Sequence, residues 1–165
     1  AHMIDIFFEN LKRIAPEYST LQSTELYDKV VLASIIEREY RSKEEAGLIA
    51  SVFYNRIEEH MRLESCATVV YVLTEELDKE HPEYLTYQDL RVESEYNTYR
   101  SQGLPPSPIA NPGRTAIDAA FHPAETEYLY FVLKGEGSEE HYFSRNYTEH
   151  NDAKRYYLKG FREGN

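Results

Sequence analysis

Glu39 occupies a place where the surrounding pattern asks for a hydrophobe. Leu32, Ile35 and Ile36 precede it by seven, four and three residues. Residues at those separations share one face of a helix. From Val30 to Tyr40 the apolar residues recur at three- and four-residue spacing, which predicts that helix. Glu37 falls on a thinner face with Val30, Ala33 and Ser34, and Arg38 and Arg41 mark the polar side. A carboxyl group on an apolar face is costly when ionised, so its pKa rises. A raised pKa is what a general acid working near neutral pH needs. A buried glutamate tied to an arginine, or a frayed helix end that lets Glu39 reach water, fits the same pattern. Arg56 is a candidate partner for Glu37 or Glu39.

The elements that must position this helix can be read on either side of it. Ile4, Phe7, Phe8, Leu11 and Ile14 predict a short amphipathic helix, ended at Ala15-Pro16 because the residue before proline avoids the helical region. Ser23 or Thr24 can cap the helix that carries Glu37 and Glu39, with Glu25 favourable in its first turn. A further helix is expected from Lys43 to Glu59, slightly weakened by Gly47. The apolar run from Val69 to Leu73 reads as helical, His81-Pro82-Glu83 as a turn, and Thr86 with Asp89 as the start of a short helix. Between Gly103 and Gly113 four prolines and two glycines exclude a regular element. Its apolar residues argue for an ordered loop, either a binding wall or a cover over the core. Asn111 is expected to cap the next helix, with Pro112 at its first position and an end at His122-Pro123.

The hairpin from Tyr128 to Ser144 is predicted by its aromatic and branched residues around Lys134-Gly135-Glu136-Gly137. Asn146 and Glu149 form a capping box for a last helix from about Tyr147 to Phe161. The expected fold class is α+β, with several helices packed around a small antiparallel sheet that includes this hairpin. Ala1-His2-Met3 reads as an expression scar, leaving residues 4–165 as one domain.

A length of 165 residues suits one domain with a real core, and 41% hydrophobic with 28% charged residues is a globular composition. No apolar run is long enough to cross a bilayer. A net charge of -11 argues against nucleic acid or an anionic membrane surface as the main partner. Cys66 stands alone, which excludes an internal disulfide and a cysteine-based zinc site; it is expected to be a small packing residue. No His-Glu-x-x-His, glycine-rich phosphate loop or cysteine cluster occurs, so no metal or other cofactor is expected. Fifteen tyrosines without a tryptophan suit either a tyrosine-rich core or a carbohydrate groove.

Several segments stand in one order along nearly the whole chain, with no internal repeat. They are Leu32-Ala33-Ser34-Ile35-Ile36-Glu37-Arg38-Glu39, Val52-Phe53-Tyr54-Asn55-Arg56, Thr68-Val69 with Tyr71, and Tyr96-Asn97-Thr98-Tyr99. Gly103-Leu104-Pro105-Pro106 follows, then Pro108-Ile109-Ala110-Asn111-Pro112-Gly113, His122-Pro123-Ala124, Tyr128-Leu129-Tyr130-Phe131-Val132 and Glu149-His150-Asn151. Together they resemble the endolytic murein transglycosylases, the MltG or YceG-like family. The chain departs from that pattern at Glu64, Cys66 and Ala67, where the family often reads Gln, Asp and Pro, and at Glu95, where it often has Pro.

The resemblance implies a catalytic domain that normally follows a transmembrane anchor and a LysM-like domain and works on the outer face of the cytoplasmic membrane. It implies cleavage of the β-1,4 bond between N-acetylmuramic acid and N-acetylglucosamine within peptidoglycan strands, leaving a 1,6-anhydro end. Peptidoglycan strands are the expected partner, with wall-synthesis proteins beside them. The second glutamate of the Glu-x-Glu pair, Glu39, is the implied general acid and base, with Glu37 as runner-up. Candidates to hold substrate are Asn55, Ser65, Thr68, Tyr96, Asn97 and Thr98, with Pro105, Pro106 and Asn111 in a loop forming one wall. His150 is read as a helix-cap residue or a substrate contact. Two other readings stay open. A hydrolase would need a second carboxylate such as Glu64 or Glu95 near the bond. A non-catalytic glycan-binding or scaffolding module would need neither.

Overall fold

The structure, a computed structural model, describes Pro16 and residues 23–158. The helix predicted between Ile4 and Ile14 lies outside the described residues. Five α-helices and one two-stranded antiparallel sheet are found among those described. In chain order they are α1 (Ser23–Glu39), α2 (Ala46–Glu58), α3 (Cys66–Tyr71), α4 (Arg114–Phe121), β1 (Tyr130–Leu133), β2 (His141–Ser144) and α5 (Tyr147–Tyr157). The α+β expectation is met.

α1 is the centre of the fold. Every residue from Val30 to Ile36 is buried, because α2, α3 and α4 all pack on it. The predicted single apolar stripe is therefore corrected: over this stretch the helix is apolar and covered all round, as a central helix must be. The polar exception is Ser34. Its hydroxyl donates to the Val31 carbonyl at 2.7 Å and accepts from the Ile109 N–H at 2.9 Å. Leu32, Ile35 and Ile36 form the core with Ile49, Phe53, Ala116 and Ala120. The alanines of α4 let the two helices approach closely.

β1 and β2 pair with Tyr130 opposite Ser144 and Leu133 opposite His141. Gly135 and Gly137 turn the hairpin at φ of +116° and +74°, a backbone region open to glycine. Phe131 meets Phe53 edge to face at 5.9 Å, which seats the sheet on α2. A second tie comes from Glu45, the N-cap residue of α2. Its Oε1 accepts the His141 backbone N–H at 2.8 Å and its Oε2 lies 2.7 Å from His141 Nδ1.

Residues 103–113 form an irregular but well-anchored loop. Tyr27 Oη donates to the Pro106 carbonyl at 3.0 Å, Tyr96 and Ser107 share a hydroxyl bond of 2.6 Å, and the Gly113 N–H donates to Glu37 Oε2 at 2.9 Å. The N-cap of α4 is Gly113, not Asn111, so Pro112 precedes the helix. Glu37 supplies the acceptor that the predicted asparagine cap would have given, from outside the segment. The capping box at Asn146 and Glu149 is present: the Glu149 N–H donates to Asn146 Oδ1 at 2.9 Å, and Asn146 Nδ2 donates back to Glu149 Oε1 at 2.7 Å. α5 runs from Tyr147 to Tyr157, and the predicted continuation to Phe161 lies, beyond Leu158, outside the described residues.

Candidate active site

Glu39 is the last residue of α1, where the helix hands over to the turn before α2. A pocket of about 280 Å³ opens on it. The lining draws on six places in the chain: Glu39, then Phe53 and Arg56 of α2, residues 63–66, Tyr99, residues 129–131, and Tyr147, His150 and Lys154 of α5.

Burial pushes the Glu39 carboxyl above its ordinary pKa. The negative end of the α1 dipole acts in the same sense. Smaller effects pull the other way. The Ser65 hydroxyl donates a short hydrogen bond to Glu39 Oε1, the Ala67 backbone N–H donates to the carboxylate, and His141 and Arg41 add positive potential. Desolvation wins. The result is a carboxyl that keeps its proton to a higher pH than a surface glutamate, yet has donors ready for the anion. That is the requirement for a group that gives a proton and takes one back.

Ser65 is itself held from behind. Its N–H donates to Thr98 Oγ1 at 3.0 Å, and its carbonyl accepts from Thr68 Oγ1 at 2.8 Å. The two threonine hydroxyls meet at 2.9 Å. Thr68 has spent its proton on Ser65, so Thr98 is the donor between them. Asn97, fully buried, fixes the approach to Thr98 by donating to the Leu90 and Val92 carbonyls at 3.1 and 2.8 Å. Thr68, Asn97 and Thr98 thus support the residue that contacts Glu39, and none of them lines the pocket.

The remaining expected residues lie elsewhere. Glu37 turns to the start of α4 and holds Gly113. Tyr96 packs on Tyr71 at 4.8 Å and bonds Ser107. Pro105, Pro106 and Asn111 are absent from the pocket lining; Pro105 is buried and the other two are exposed. Asn55 faces a separate depression, where its Nδ2 donates to the Thr126 and Tyr128 carbonyls at 2.8 and 2.9 Å. Asn55→Ala is expected to lower unfolding free energy by about 1–3 kcal/mol, because two carbonyls lose their donor. Urea unfolding of the variant beside wild type checks this.

Arg56 pairs with neither Glu37 nor Glu39. Its partner is Glu64, with both terminal nitrogens 3.2 Å from Oε2, and its Nε donates to the Leu129 carbonyl at 2.7 Å. Its guanidinium lies 4.9 Å from the Tyr130 ring centre. His150 stacks on Tyr130 at 5.1 Å and 24°. It sits inside α5, not at its cap, and burial brings its pKa down to about 4, so the ring is neutral at neutral pH. Its buried Nδ1 meets no partner among the described residues. Cys66 is an exposed residue on the pocket and not a core packing residue; its thiol lies 3.1 Å from Tyr99 Oη. Desolvation of the thiol by the pocket wall, although the residue as a whole is exposed, pushes its pKa up, against nucleophilic use.

Tyr147 and Lys154 were given no role by the sequence, and they line the pocket beside His150, the residue read as a helix cap or a substrate contact. Their spacing of three and four residues places them on one face of α5. That signal was available in the sequence; the face it pointed to was not.

A family model described as the YceG-like family matches residues 1–156. An endolytic murein transglycosylase of Bacillus subtilis (strain 168) is 42% identical over 134 residues, covering 81% of this chain and 35% of that protein. Another from Streptococcus pneumoniae (strain D39) is 30% identical over 154 residues, 87% of this chain and 27% of that protein. The chain therefore spans about a third or less of the curated relatives it matches. A solved yceG-like protein from Listeria monocytogenes superposes with a TM-score of 0.76 at 39% identity, over 87% of this chain and 44% of that one.

Proposed function

The chain belongs to the YceG-like family, and from that premise we propose that it is the catalytic part of an endolytic murein transglycosylase, with Glu39 as its single acid and base. The substrate is the glycan strand of peptidoglycan. The bond cut is the β-1,4 link from N-acetylmuramic acid to N-acetylglucosamine.

Glu39 gives its proton to the bridging oxygen as the bond to C1 breaks, and N-acetylglucosamine leaves with a free 4-hydroxyl. Positive charge grows at C1 and the ring oxygen. The C6 hydroxyl of the same muramyl residue then closes on C1, and its proton passes to the Glu39 carboxylate. The acid is restored, no water is consumed, and the product ends in a 1,6-anhydro ring. Ser65 and the Ala67 N–H hold the carboxylate during the interval when it is ionised. The observation that carries this reading is the pocket-facing Glu39, its carboxyl pKa raised by burial, beside those two donors.

Mass spectrometry of digested peptidoglycan tests it. Anhydro-ended fragments support a transglycosylase, and reducing ends from uptake of water would support a hydrolase. The hydrolase reading has one feature in its favour, since Glu64 lines the same pocket. Its Oε2 is already occupied by the Arg56 guanidinium. Glu95 is exposed and away from the lining.

Activity should fall as pH rises through the raised pKa of Glu39, because only the protonated carboxyl can start the reaction. Ser65→Ala removes a hydrogen bond that favours the ionised form. The upper limb of the pH–rate profile is therefore expected to move to higher pH, while the maximal rate drops. A limb that stays in place or moves down would count against the assignment of Glu39.

We further place the full-length protein at the outer face of the cytoplasmic membrane, held by an anchor elsewhere in the longer protein, among the wall-synthesis proteins. No helix of the described residues is long and apolar enough to cross a membrane. Fractionation of cells carrying the full-length protein checks this placement.

A further inference from the structure

We propose that Glu64 is a substrate-contacting residue, its carboxylate held on the pocket wall by Arg56 to accept a hydrogen bond from a sugar O–H or acetamido N–H of the bound strand. The proposal rests on the glycan-strand reading above.

The first observation is backbone geometry. Three described non-glycine residues have positive φ: His60 at 53°, Glu64 at 52° and Asp78 at 50°. His60 follows α2, and Asp78 follows the helical turn Val72–Glu76. A left-handed residue after a helix is an ordinary way to end one. Glu64 has no such reason. It lies in an extended approach to α3, between buried Leu63 and buried Ser65. A side chain with a Cβ pays a steric penalty in that region, and such outliers persist where the surroundings over-determine them. Here the Glu64 N–H donates to the Thr98 carbonyl at 3.2 Å, the same Thr98 that holds Ser65. The twist turns residue 64 outward while its two neighbours stay in.

The second observation is how the carboxylate is held. Arg56 engages only Oε2, from Nη1 and Nη2 at 3.2 Å each, and the side chain remains 45% exposed. Arg56 is itself buried and locked by three backbone carbonyls, so the anchor is rigid. Oε1 has no hydrogen-bond partner among the described residues, which leaves it for a donor in the pocket that Glu39 also lines. Muramyl and glucosaminyl residues offer such donors at every hydroxyl and acetamido group. A fixed anion next to the site also suits a sugar ring that becomes positive.

The test measures binding in a Glu39→Gln background, so that it does not depend on turnover. Calorimetry with purified glycan strands compares that protein with the same protein carrying Glu64→Gly or Glu64→Gln. Glycine removes the side chain and relieves the φ, so urea unfolding should show no loss of stability beyond that of the lost Arg56 pair. Binding should nevertheless weaken by about tenfold, the scale of one charge-assisted hydrogen bond. Glutamine keeps an acceptor oxygen and should lose less. Unchanged binding in both variants would overturn the proposal and leave Glu64 as a counter-ion for Arg56. In the Glu39-intact protein, weaker binding by Glu64→Gly without any anhydro product from wild type would uphold the contact while refuting the proposed reaction.

Discussion

Glu39→Gln is expected to lower kcat/KM for glycan cleavage by about 10²–10⁴-fold, the usual contribution of one positioned acid–base group. Glutamine keeps the shape and can still accept from Ser65, so the pocket should survive and only the proton is lost. The variant should also be more stable than wild type at neutral pH. In the folded chain Glu39 holds its proton to a higher pH than in the unfolded chain, because burial disfavours the charge. Between the ordinary carboxylate pKa and the raised one, the folded state binds more protons than the unfolded state. Stability therefore falls as pH rises through that window and stays lower above it. The glutamine variant carries no such charge, so its urea midpoint should be higher at pH 7 and converge with wild type at low pH. Glu37→Gln provides the contrast. It weakens one bond to Gly113 at the edge of the molecule, so anhydro products should persist. Loss of product with Glu37→Gln and not with Glu39→Gln would move the assignment two residues back.

Glu39 was legible because a helix imposes a period, and a carboxylate that breaks the period stands out. The pairing of Asn146 with Glu149 and the hairpin from Tyr128 to Ser144 were legible for a related reason: both are made by neighbours in sequence. What could not be read was which distant groups meet. Pattern alone offers Glu37 and Glu39 as partners for Arg56, but a reversal of the chain at residues 59–64 brings Glu64 back to it across eight positions. Asn55 and Arg56 are adjacent on α2, and their side chains leave on different faces, one to the 126–128 segment and one to the pocket. The Glu37–Gly113 contact spans 76 positions, and no local rule for helix caps could supply it. Polar residues such as Thr68, Asn97 and Thr98 suggested sugar binding by type. Their complete burial assigns them to holding Ser65. Tyr147 and Lys154 on α5 were missed because a tyrosine and a lysine look like ordinary solvent-facing positions until β1 and β2 are packed against that helix.

Arg56→Met should be the most damaging change away from Glu39. Arg56 is 5% exposed, and its guanidinium supplies donors to the carbonyls of Leu129 at 2.7 Å, Arg62 at 2.9 Å and Leu63 at 2.8 Å. Methionine fills much of the same volume and offers none of them. A buried carbonyl left without a donor costs about 1–3 kcal/mol; the Leu63 bond is buried and the Arg62 and Leu129 bonds are half-buried and cost less, so a total of about 3–5 kcal/mol is expected. That is a large part of the whole stability of an ordinary domain, about 5–15 kcal/mol. Lysine should not rescue it, since one ammonium cannot span a fork whose prongs reach both the 62–64 segment and the residue before β1. The Glu64 pair adds little to this figure, because that carboxylate is half exposed and can return to water. The damage should also reach the site. The carbonyls that lose their donor flank Ser65 on one side and Tyr130 on the other, so the groups around Glu39 lose their common anchor. An unfolding free energy within about 1 kcal/mol of wild type, at unchanged urea slope, would show that the clamp is not what joins α2 to the sheet. The expected result is a marginal fold in which residual cleavage, measured below the unfolding transition, is reduced along with stability.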